Sequence, residues 1–220
     1  MEQKSRFRSS LLLAASATLC GTLLSGPASA HTETALSAFA AINQTGGMPW
    51  TVDGFGLAAS ARWNHWVADA SFRHQPGKGN HTGYAQKYHF SVLQEDFNAR
   101  LGYVVLANRW LSVYPFAAYN YLSYGDLRDN GVGGGIGATI RLFRWVRLYG
   151  HAEALRGFDG NIGGLNLTRS SNLFQFKGGA SIPIAHRWSV FSSLEYFRYV
   201  GAGNALHGYT VEAGATRTFG

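Results

Sequence analysis

The chain has 220 residues, 19 Lys and Arg against 12 Asp and Glu, a formal net charge of +7, 28 Gly and a single Cys. One thiol excludes a disulfide framework and a Cys-based metal site. Apolar residues make up 46%, yet after residue 30 no apolar run reaches the ~20 residues that a membrane-spanning helix requires.

The first element in chain order is a targeting segment. Lys4, Arg6 and Arg8 precede the apolar run SSLLLAASATLCGTLLS, and PASA follows, with small residues at Ala28 and Ala30. This three-part layout predicts a secretory signal over 1–30, cleaved before His31, with a single domain over 31–220. A signal anchor is the plainer alternative. A lipoprotein anchored at Cys20 is disfavoured by the bulky Leu19. Removing 1–30 takes away three basic residues, one acidic residue and the only Cys, so 16 basic residues face 11 acidic ones, a balance of +5. An exported chain meets little nucleic acid, so this basic surplus suits anionic lipid or lipopolysaccharide instead.

The rest of the chain is dominated by period-two patterning, the signature of strands. Phe55, Leu57, Ala59, Ala61 and Trp63 share one face, and Gly56, Ala58, Ser60 and Arg62 the other. Trp66, Ala68, Ala70 and Phe72 oppose Val67, Asp69, Ser71 and Arg73. Phe97, Ala99, Leu101, Tyr103 and Val105 oppose Asn98, Arg100, Gly102 and Val104. Phe174, Phe176, Gly178, Ala180 and Ile182 oppose Gln175, Lys177, Gly179 and Ser181. Tyr209, Val211, Ala213, Ala215 and Phe219 oppose Thr210, Glu212, Gly214, Thr216 and Thr218. IRLFRWVRLYGHAEA (140–154) reads as two strands and a turn, with charges on one face and Trp145 at the boundary.

Four short connections carry Trp beside Arg or His: ARWNHW (61–66), ANRW (107–110), FRW (143–145) and AHRW (185–188). Interfacial Trp belongs at headgroup level, and a basic neighbour can meet lipid phosphate. Trp63, Trp66, Trp110, Trp145 and Trp188 are therefore the candidate membrane-interface residues. Longer polar stretches at 44–52, 74–96, 124–131, 157–171 and 200–207 alternate with these turns. Four short turns and five long loops make ten strands, near 33–43, 52–63, 65–74, 97–107, 110–123, 132–142, 146–156, 172–184, 188–199 and 208–219. YAQKYHFSVL (84–93) also alternates. It is read as an extension above the membrane that returns through QED (94–96) into the fourth strand. Eight or twelve strands remain as alternatives.

Exported, alternating strands of about 10 residues predict an all-β, antiparallel, up-and-down transmembrane barrel. Lipid requires a closed sheet, because an open edge leaves backbone groups unpaired in hydrocarbon. A secreted soluble barrel would reverse the faces. The Ala- and aromatic-rich apolar stripes, against faces of Gly and opposite charges, favour the membrane form. The final strand, YTVEAGATRTFG, alternates through Tyr209 and Val211 to Phe219, with Gly220 behind it. It resembles the C-terminal signal by which outer-membrane barrels are recognised by their assembly machinery. Across residues 31–220 the architecture resembles the small outer-membrane β-barrels of the OmpA-like, OmpX-like and opacity-type group. That resemblance implies a monomer in the bacterial outer membrane, partnered by lipid, lipopolysaccharide and the barrel-assembly machinery. Host or surface ligands would be met through the outer loops.

On this reading the lumen receives Arg62, Asp69, Arg73, Arg100, Arg141, Arg147, His151, Glu153, Lys177, Glu195 and Glu212. Such charges must pair in a narrow interior. The expectation is a salt-bridged, plugged lumen and a structural or surface-interaction role; the alternative is a narrow, porin-like channel for small solutes. Gly131, Gly133, Gly135 and Gly137 share an inward face. No Gly-Lys-Ser/Thr follows GVGGGIG, so the expectation is space for Arg side chains or curvature, not a phosphate loop. An outer-rim lipid-modifying hydrolase or acyltransferase would draw on His74, His81, His207, Asp126, Asp129, Asp159, Ser170 and Ser171. No motif joins these residues, and no catalytic residue is assigned. The histidines lack ligand spacing, so no metal or cofactor is expected.

Overall fold

The computed structural model describes residues 32–45, 51–83, 86–124, 127–143, 145–157, 160–162, 165–167, 172–201 and 204–220. The segment 1–30, and with it the expected cleavage site, lies outside them. Ten long strands follow in order: β1 (Thr32–Thr45), β2 (Thr51–Trp63), β3 (Trp66–Gly83), β4 (Gln86–Tyr103), β5 (Leu111–Tyr124), β6 (Leu127–Phe143), β7 (Val146–Gly157), β8 (Asn172–Ala185), β9 (Trp188–Gly201) and β10 (Asn204–Phe219). Each pairs antiparallel with its neighbours in the chain. β1 pairs with β10 from Thr34↔Phe219 to Thr45↔Gly208 and closes the sheet. The result is an up-and-down barrel of ten strands. Short strands at Leu106–Ala107, Gly160–Ile162 and Leu165–Leu167 sit in two of the connections.

Alternation decides which face is buried. Along β8, Phe174 is 39% exposed, Gln175 3% and Phe176 53%. Successive side chains point to opposite faces of a strand, so Phe174 and Phe176 project outward while Gln175 faces the axis. Ile42, Leu57, Leu101, Ile136, Leu194 and Val211 join the outer apolar belt. A continuous exposed apolar band in a closed barrel matches a hydrocarbon surround. Trp66, Trp110, Trp145 and Trp188 are exposed near the short connections, and Trp63 is the cross-strand partner of Trp66. The Arg109 guanidinium lies 4.9 Å from the Trp110 ring, and that of Arg217 lies 5.6 Å from Trp188.

Three boundary expectations are corrected. The third strand does not stop at 74, nor does the fourth begin at 97. β3 and β4 stay paired out to Gly83↔Gln86. β2 leaves β3 at Val52↔Gly77, and β5 leaves β4 at Gln94↔Tyr124. Residues 78–83 and 86–93 thus form a two-stranded ribbon beyond the barrel wall. The connection expected at 94–96 is strand: Gln94, Glu95 and Asp96 pair with Gln75, His74 and Arg73. Alternation runs through them without a break, so no turn is needed there. The turn at 107–110 is part of a longer connection, in which Leu106 and Ala107 fold back on Val113 and Ser112.

The inward glycines of β6 do not make room for arginines. A β-carbon on Gly135 would lie 2.6 Å from Cζ of Phe116, and one on Gly137 would overlap the Tyr114 ring. At Gly133 it would meet the Ala154 carbonyl and lie 2.8 Å from the Leu155 Cα. Aromatic rings and the neighbouring strand occupy that space, because Tyr114 and Phe116 share the inward parity of β5.

Candidate functional site: the ion-paired lumen

Arg73 of β3 points to the axis with its side chain 4% exposed. Its Nη2 donates to an Asp96 oxygen and to Glu195 Oε1 at 2.8 Å, and its Nη1 donates to Glu212 Oε1 at 3.3 Å. Three carboxylates from β4, β9 and β10 thus converge on one guanidinium, whose five donors in a rigid fork suit that task. Asp96 Oδ1 also accepts from Asn98 at 2.7 Å and from Asn120 at 2.9 Å, and Asn120 donates to Asn98 Oδ1 at 2.9 Å. Lys177 of β8 donates to Glu212 Oε2 at 2.5 Å and stands 3.9 Å from Glu195 Oε2. Ser193 donates to the same Glu212 oxygen at 3.0 Å.

Arg100 of β4 is a second centre. Its Nε donates to Glu153 Oε2 at 2.7 Å, its Nη2 to Glu153 Oε1 at 3.0 Å, and its Nη1 to Asp69 Oδ1 at 3.1 Å. The guanidinium carbon also lies 5.8 Å from the Phe116 ring centroid. An isolated buried charge is costly unless paired and hydrogen-bonded. Here each guanidinium meets at least two carboxylates.

The structure therefore brings together Asp69, Arg73, Arg100, Glu153, Lys177, Glu195 and Glu212, spanning six strands. Glu195 points inward, 2% exposed. Arg62, Arg141 and Arg147 are inward too but stand outside these pairs. They line a cavity of about 480 Å³ at the short-turn end. His151 also faces inward, edge-on to Phe116 at 6.0 Å, and its buried Nε2 has no hydrogen-bond partner among the described residues.

Asp96 was missed because it was assigned to a connection. The signal was available: Asp96 shares parity with Asn98 and Arg100, and running the alternation back two residues places it in the lumen. Asn98, Asn120 and Ser193 were missed because neutral polar residues are common on any inward face.

At the outer end, His74 Nδ1 lies 3.4 Å from Glu95 Oε1. Asp126, Asp159, Ser170 and Ser171 lie outside the described residues, as do the side chains of His81 and Asp129. His207 is exposed. Among the described residues no group of three His, Cys, Asp or Glu could hold a metal. Tyr209 and Val211 project outward from β10, and the Arg217 guanidinium lies 5.1 Å from the Phe219 ring.

No protein-family model and no curated protein sequence matches the chain. Solved structures do. The outer membrane protease OmpT of Escherichia coli aligns over 90% of this chain and 100% of its own, at 11% identity and a TM-score of 0.51. The β domain of the Bordetella autotransporter BrkA aligns over 86% of this chain and 99% of its own, at 11% identity and a TM-score of 0.51. At such identities the likeness is one of fold. The chain has the fold of bacterial outer-membrane β-barrels.

Proposed function

We propose that the chain is an integral barrel of the bacterial outer membrane whose lumen is closed by the Arg73 and Arg100 ion pairs. It serves a structural or surface-interaction role through its outer connections. The observation that carries this reading is the convergence of Asp96, Glu195 and Glu212 on Arg73, which fills the axis with paired charge. The paired ribbon of 78–83 and 86–93, standing clear of the wall, supports a surface role, since loops on a rigid scaffold commonly carry recognition. Segment 1–30 acts in this reading as the cleaved export signal, and lipid, lipopolysaccharide and the assembly machinery are the partners.

Planar-bilayer recording tests it. The native protein should insert without stepwise conductance. Arg73→Ala, provided that it still shows heat-modifiable gel mobility, should raise the frequency of open events. Discrete steps from the native protein would overturn the closed lumen in favour of a narrow channel.

A further inference from the structure

Arg62, Arg141 and Arg147, inward but outside the ion-paired layer, sit where they can bind a ligand. The cavity of about 480 Å³ opens among the short connections and ends at the layer, where Asp69, Arg100, Lys177 and Glu212 form its inner wall. A volume of this order is typical of small-ligand sites. Arg141 of β6 and Arg147 of β7 are direct cross-strand partners, and both face this cavity. Like charges directly opposite each other on adjacent strands are destabilising, and among the described residues neither Arg takes part in an ion pair. Across the mouth, Arg62 lies opposite Glu33, its cross-strand partner on β1. The rest of the wall is rich in hydroxyls, among them Ser112, Thr139, Tyr149, Ser181, Ser189 and Thr216. Guanidinium forks plus hydroxyl donors are the chemistry that recognises phosphate-class oxyanions.

We infer that this end of the lumen is a binding site for a small, multiply charged oxyanion of the phosphate class. The anion bridges Arg141 and Arg147 and relieves their repulsion. Short turns of outer-membrane barrels face the periplasm, so the ligand arrives from that side. The inference does not depend on whether the ion-paired layer conducts.

Trp110 lines the same cavity and supplies a readout. Pyrophosphate is titrated into the folded protein in lipid-free, non-ionic detergent while tryptophan emission is followed, with calorimetry in parallel. Saturable one-to-one binding is expected, weakened roughly tenfold or more by Arg141→Gln with Arg147→Gln. Arg141→Lys with Arg147→Lys should retain part of the affinity. Arg198→Gln, near the opposite end, should leave it unchanged. Both paired arginines are exposed to the cavity and lie outside the ion pairs, so folding is expected to survive and is checked by heat-modifiable mobility. Lipid-free detergent excludes a headgroup as the phosphate source. Addition of phosphatidic acid micelles that abolishes pyrophosphate binding would assign the site to lipid phosphate instead. Overturning results would be a response that sodium chloride reproduces at equal ionic strength, or equal affinity in the Gln pair and the native protein.

Discussion

Arg100 and Glu153 meet through two hydrogen bonds, at 2.7 and 3.0 Å, although they are 53 residues apart and their strands, β4 and β7, are separated by β5 and β6. The pair spans the lumen. It is bidentate, and both side chains are nearly withdrawn from water, at 8% and 0% exposure. It ties two arcs of the wall that backbone hydrogen bonds do not connect directly.

Breaking that pair from one side leaves a buried charge behind. Arg100→Met or Glu153→Met alone should destabilise the barrel by about 3–5 kcal/mol. The double replacement should cost clearly less than the sum of the two, because no orphaned charge remains from the pair. Urea unfolding in lipid vesicles, followed by tryptophan emission, measures all three. Additive losses would mean that the pair is not coupled.

Glycine positions offer a contrast between two faces. A β-carbon on Gly208 would lie 2.6 Å from the Gln44 carbonyl oxygen and 2.6 Å from Cζ of Phe197. The carbonyl belongs to the adjoining strand and cannot swing aside. Gly208→Ala should therefore cost about 1–3 kcal/mol of stability, as overpacking does. At Gly178 no heavy atom lies within 4 Å of the same position, so Gly178→Ala should fold and unfold like the native chain. The same vesicle unfolding assay separates them.

Arg187 adopts φ 69° in the turn between β8 and β9. A residue with a β-carbon is penalised there, whereas glycine is not. Its carbonyl accepts from the Thr218 amide at 2.8 Å, a bond that any residue retains. Arg187→Gly should stabilise the barrel by a net of about 0.5–1 kcal/mol, after glycine's greater freedom in the unfolded chain is deducted. Arg187→Ala should give no such gain, since it keeps the β-carbon. The shift in unfolding midpoint reads both.

Much of the fold was legible because lipid makes period-two patterning strict. The Trp-bearing turns near 64, 144 and 187 divided the chain into hairpins, and the parity of Arg73, Arg100, Lys177 and Glu212 followed from their apolar neighbours. Asp96 was lost because QED looks like a loop when its neighbours are not yet paired. Partner choice was not legible. Arg73 and Glu212 are 139 residues apart, and their meeting depends on the stagger of strands around the cylinder, which no single segment encodes. For the same reason Arg141 and Arg147 looked no different from Arg73 until the cross-lumen geometry separated the cations of the Arg73 and Arg100 clusters from those outside them.

The outward apolar face is the premise on which the remaining conclusions rest. The native chain has its only thiol at Cys20, so single cysteines in β8 can be labelled uniquely once that one is absent. Nitroxides at 174, 176 and 178, and at 175 and 181, would be compared in lipid vesicles for collision with oxygen and with a water-soluble nickel chelate. The first set should be open to oxygen and shielded from nickel, and the second should show markedly less oxygen contact. Equal accessibility in the two sets, or nickel contact at 174, 176 and 178, would contradict a barrel that turns its apolar face to lipid.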